Sequence, residues 1–137
     1  MTGMAGKDTI ISGTFTATET GLYTINFGKT ITGRYIAYIE MTDASKSTFA
    51  TAVQSIGANR TYGCIGINWN GCDKFDAIFA RHLARYNGTD VSLSYGTNAP
   101  INKFKSDSIV LSVASISGNA NVIYPNYTYN YMIIPLV

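Results

Sequence analysis

The dipeptide Asn87-Gly88, set between Ala84-Arg85-Tyr86 and Thr89-Asp90-Val91, constrains this chain more than any other stretch. A two-residue type I′ turn needs positive φ at both central positions, which asparagine and glycine tolerate best. Beyond it, Val91, Leu93 and Tyr95 alternate with Ser92 and Ser94, the period of a half-buried strand. A hairpin at this point commits the neighbouring chain to antiparallel sheet.

The 137 residues, 46% hydrophobic and 13% charged, suit one domain with a single core and are too apolar for disorder. An abundance of Tyr, Thr and Ile favours strand over helix. Residues 1–8 read as a polar arm and 9–137 as one domain, expected to be an all-β, antiparallel, jelly-roll-like β-sandwich. A net charge of +2 without a basic stripe argues against nucleic acid as a partner. No apolar run reaches the roughly 18 residues of a membrane helix, so membrane insertion is not expected. The start of the sequence carries no apolar signal core, which implies folding in a cytosol with Cys64 and Cys72 reduced.

Strands are expected from Thr9 to Thr16, with Gly13 as a bulge, from Leu22 to Phe27, and from Arg34 to Met41 as a central strand. Asp43 to Gly57 carries Phe49, Val53 and Ile56 at helical spacing, with Asp43 as cap and Gly57 as stop; a long loop is the alternative. Thr61 to Trp69 returns to strand, and Asn70-Gly71 repeats the hairpin signal, which would set Trp69 opposite Cys72. The segment from Asp73 to Tyr86 fits an amphipathic helix, but the Asn87-Gly88 turn draws its last eight or so residues into a strand. Ser108 to Ser115, a short Asn121–Tyr124 piece and Tyr127 to Pro135 complete the strands.

Catalytic chemistry is hard to place. The single histidine, His82, has arginines at 81 and 85 and no acid spaced to orient it. No nucleophile elbow, phosphate loop or metal-ligand cluster occurs, and two cysteines with one histidine fall short of a zinc site. No cofactor is implied, and the chain does not read as an enzyme. Ten tyrosines and one tryptophan in so small a domain are the stronger signal, since such rings offer wide apolar area with a polar tip. Trp69 is the candidate for stacking on a ligand, with a core role as the alternative. Tyr127, Tyr129 and Tyr131 share one strand face and read as candidate ligand or interface contacts, subunit packing being favoured.

Several segments together resemble the small β-sandwich virion proteins of tailed bacteriophages, found as tail-fibre tips, head fibres and capsid decoration proteins. They are Gly13-Thr14-Phe15-Thr16, Gly21 to Gly28, Tyr35 to Ile39, Arg85-Tyr86-Asn87-Gly88 and Tyr127 to Ile133. The resemblance implies a virion structural protein assembled in the bacterial host cytoplasm, a homotrimer in contact with other virion proteins and, through adhesion, with a host-surface glycan. It carries over no ligand residues, because such proteins place their sites in variable loops. A stand-alone carbohydrate-binding, lectin-like module is the alternative.

Overall fold

The computed structural model describes residues 10–68, 78–84, 91–95 and 100–136, the second and third of these stretches by backbone alone. Nine strands and one helix are described: β1 (Ile11–Thr16), β2 (Gly21–Asn26), β3 (Tyr35–Met41), α1 (Asp43–Ile56), β4 (Arg60–Ile67), β5 (Ile78–Ala84), β6 (Val91–Tyr95), β7 (Ile101–Phe104), β8 (Ser108–Val113) and β9 (Thr128–Pro135). They form two sheets, ordered β1-β9-β3-β4-β5-β6 and β2-β8-β7, with every pairing between strands antiparallel. The fold is an all-β sandwich. Pairing of β1 with β9 and of β2 with β8 is the wrapping of a jelly roll, whereas β3 to β6 continue as a meander within one sheet.

Alternation builds the core. Tyr35, Ala37, Ile39 and Met41 of β3 point inward with Phe15, Tyr129 and Ile133, and meet Ile25, Ile109, Leu111 and Val113 of the smaller sheet. Aromatic rings bridge the layers: Phe15 stacks on Tyr23 at 5.0 Å, and Tyr35 lies edge-on to Phe27 at 5.4 Å. As expected, β3 is central; its second face, however, is half-buried rather than covered.

The helix forms where its spacing predicts, but its cap is Thr42, whose side chain accepts from Ser45 N at 3.3 Å; Asp43 lies in the first turn. Gly57, at φ 67°, takes the left-handed conformation that ends the helix and donates to Val53 O at 3.0 Å. Phe49 and Val53 are buried, while Ile56 is 37% exposed.

Other expectations need correction. Gly13 is no bulge: β1 pairs with β9 in unbroken register, and a Cβ there would lie 2.8 Å from Tyr131 Oη, so the glycine makes room for that ring. Residues 121–124 contribute a single parallel bridge, Val113 to Ile123, rather than a strand. Four-residue β7, with a register shift of its own, is a strand the sequence does not announce. Ala84 pairs with Val91, a register in keeping with a two-residue turn at 87–88, although that turn lies outside the described residues. Ile67 pairs with Ile78, and the turn expected at 70–71 likewise lies outside the described residues.

The β3–β4 pair is tight at Gly63, next to a register shift. A Cβ there would lie 2.7 Å from Ile39 O and 3.1 Å from Glu40 Cα, both backbone atoms in mid-sheet. Gly63→Ala is expected to lower unfolding stability by about 3 kcal/mol in a urea titration. A loss under about 0.5 kcal/mol, the range of an ordinary surface change, would contradict this packing.

Candidate functional site: a cleft at the helix end of the sandwich

The start of α1 is stitched to the start of β9. Thr42 N donates to Thr128 O at 2.9 Å, and Thr128 N donates to Ser45 Oγ at 2.8 Å. One turn on, Phe49 sets its ring 5.4 Å from both Tyr124 and Tyr127, tilted against the first and edge-on to the second. The helix thereby closes this end of the core and fixes the segment that leads into β9.

That segment, residues 114–127, would be a loose connection if sequence distance decided the matter. Instead β4 clamps it. Buried Arg60 donates through Nε to Ile116 O at 2.5 Å and through Nη2 to Ser117 O at 3.1 Å. Thr61 Oγ1 donates to Ala120 O at 2.6 Å. From within, the Tyr124 hydroxyl donates to Asn119 O at 2.7 Å, and Tyr124 N donates to the Tyr129 hydroxyl at 3.0 Å. Asn126 N donates to Ala17 O at 2.7 Å, which ties the segment to the β1–β2 connection as well. Satisfied networks of this kind rigidify a loop.

Between α1, the β1–β2 connection and this segment opens a cleft of about 430 Å³. Ile116, Pro125 and Tyr127 supply apolar wall, with fully buried Tyr124 behind them, while Thr20, Thr48 and Ser115 bring hydroxyls. Asn126, also in the lining, holds φ at 71°, a left-handed backbone found at no other non-glycine position among the described residues. With Pro125 before it, Asn126 takes the positive φ that a turn's second central position needs, which asparagine tolerates. Burial pushes Tyr124 up to about 12 and raises Tyr127 and Tyr129 as well, so all three hydroxyls remain protonated at neutral pH. No lining residue is a carboxylate, imidazole or thiol. The cleft's chemistry is a ring, hydroxyls and an amide, a set that suits a neutral, hydroxyl-rich ligand.

The candidate aromatics part company here. Tyr127 is half-buried and lines the cleft. Tyr129, although on the same strand face, is fully buried and stacks on Phe15 at 5.2 Å, so its ring belongs to the core and reaches no contact surface. Half-buried Tyr131 lies across Gly13, its ring 6.2 Å from that of Phe15. Trp69 lies outside the described residues, as does Cys72. Cys64 is buried, its thiol pushed up to about 12 by desolvation, and serves packing. Asn126, Thr48, Ser115 and Thr20 escape sequence reasoning because they come from distant segments; only the aromatic at 127 gives a signal.

Among the described residues no group of three His, Cys, Asp or Glu gathers at a metal-binding distance, and no helix is long and apolar enough to cross a membrane. No protein-family model matches the sequence, and no curated protein matches it.

Proposed function

We propose that this chain is a virion structural protein of the tailed-bacteriophage kind, a head-decoration, head-fibre or tail-tip domain that works by contact rather than catalysis. In this reading it assembles in the host cytoplasm as a homo-oligomer, meets other virion proteins, and attaches to a host-surface glycan through the cleft at the helix end. The observation that carries the adhesive role is the preformed cleft, where the Tyr127 ring and Asn126 sit on a segment tied down by Arg60, Thr61 and Tyr124. A rigid scaffold that presents a loop-built site is the usual arrangement for recognition. The same cleft would serve a stand-alone carbohydrate-binding module, and particles separate the two readings. Antibody labelling is expected to mark intact phage particles; a protein absent from them is the free module.

The cleft itself is tested on an array of bacterial surface glycans. Tyr127→Ala is expected to weaken the best glycan about 30-fold, the loss of roughly 2 kcal/mol typical of a central aromatic contact. Unchanged affinity in that variant would remove the cleft as the binding site.

A further inference from the structure

The larger sheet is inside out along β4. Its core-facing positions hold Cys64, Gly66 and Asn68, while Ile65 and Ile67 point the other way and are half-buried. Register extends that pattern sideways. Ile36 pairs with Ile67 on one flank and Ile134 on the other; Tyr38 pairs likewise with Ile65 and Met132. Three adjacent strands therefore carry a block of six apolar side chains on the outer face, with Met132 40% exposed. In register, the rows run on to Ile78 and Ala80 of β5. The outer face of the smaller sheet differs: Thr24, Asn26, Ser112 and Lys103 dilute its Leu22 and Val110.

A sheet face of this composition costs stability if it stays wet, and contiguous apolar patches of several hundred Å² mark contact surfaces. The described helix does not lie over it; α1 meets β3 and β4 at the end where it leaves and rejoins them. The geometry points to a second copy of this chain as the occupant, the two larger sheets packing face to face about a two-fold axis. The inference rests on the homo-oligomeric part of the proposed reading and names its surface.

Size and charge both fit a second copy. The whole outer face of the sheet, six strands at about 4.8 Å spacing and about six residues at ~3.3 Å, has a flat footprint near 600 Å², with the apolar block in its middle and Ser12 and Thr14 of β1 on its polar edge. Side-chain relief adds accessible area to that, close to the roughly 800 Å² per partner of a standard stable interface. Of the charged side chains described at this face, Glu40 and Lys46 pair with each other and the Tyr38 hydroxyl donates to the Glu40 carboxylate, while exposed Arg34 shares the parity of Ile36 and Tyr38 just before β3. Lys46 also lies 4.8 Å from the centre of the Tyr62 ring. Each copy thus closes the ion pair at its α1 end within itself, and this cluster, with Arg34 at the other end, supplies the polar rim of an otherwise apolar contact. A face that meets its own copy closes on itself as a pair, unlike the threefold assembly implied by the resemblance.

Light scattering on the full chain during size exclusion tests the inference. The wild type is expected to run at twice the 14.8 kDa chain mass. Ile65→Lys and Met132→Lys, each placing charge on the face, should weaken the pair at least 100-fold and elute as folded monomers by circular dichroism. Leu22→Lys, on the opposite face, should remain paired. A monomeric wild type overturns both the inference and the homo-oligomeric reading. A wild-type trimer, or an oligomer that both face variants leave intact, overturns the sheet-face pairing while that reading stands. If Ile65→Lys fails to fold, Met132→Lys alone decides, since its site is already exposed.

Discussion

Tyr35→Ala should lower the free energy of unfolding by about 4 kcal/mol, the largest loss expected from a single truncation among the described residues. Tyr35 opens β3 at the end of the sandwich away from α1 and is fully buried. Its ring touches the smaller sheet twice, 5.4 Å from Phe27 and 5.8 Å from Phe104. The hydroxyl donates to Lys105 O at 2.7 Å, and the backbone N–H donates to buried Asn68 Oδ1 at 2.5 Å. Alanine keeps the backbone bond but empties the ring's volume and strands the carbonyl of Lys105. Tyr35→Phe isolates the second effect and should cost about 1 kcal/mol. Urea titrations with a shared slope measure both. If alanine cost less than about 1.5 kcal/mol, the two layers would not be joined at this ring.

At the other end, Phe49→Ala should cost about 3 kcal/mol and disable the cleft together with it. Phe49 is 1% exposed and is the ring on which both Tyr124 and Tyr127 rest. Without it α1 keeps its cap at Thr42 and its bonds to Thr128 but loses the larger of its two buried side chains, leaving Val53 alone to pack on the core. Tyr127 then has no edge partner and the cleft wall loosens. Thermal unfolding gives the stability loss, and near-ultraviolet circular dichroism should show the tyrosine signal fall. Phe49→Leu, which retains apolar volume, should recover most of both. A stable Phe49→Ala protein with an unchanged tyrosine signal would mean that the helix is held elsewhere.

Much of the sandwich was legible in the sequence, because period-two alternation needs no tertiary information. Tyr23, Ile25 and Phe27 declare one face, and Ile109, Leu111 and Val113 another. Where alternation was ambiguous, reading failed for a physical reason. In β4 the small polar residues face the core and the isoleucines face out, so the period is visible but its inward side is not.

The tyrosines misled for a related reason. They look surplus to a core because a buried hydroxyl must find a partner. For Tyr35 that partner, Lys105 O, lies 70 residues away, which no local pattern predicts. Tyr124 and Tyr129 are likewise fully buried: the Tyr124 hydroxyl donates to Asn119 O and accepts from Thr61 N, 63 residues away, and the Tyr129 hydroxyl accepts from Tyr124 N. The clamp at Arg60 hides in the same way, since its acceptors are backbone carbonyls 56 and 57 residues on rather than a carboxylate. The cleft was legible only through Tyr127.

The most direct measurement is a backbone amide NMR titration of the protein with the best glycan from the surface array. Shifts confined to Thr20, Thr48, Ser115 and residues 125–127, saturating with one affinity, are the result expected of a preformed site. A glycan that binds but moves amides only in other parts of the sandwich, or a full panel of surface glycans that moves none, would contradict it.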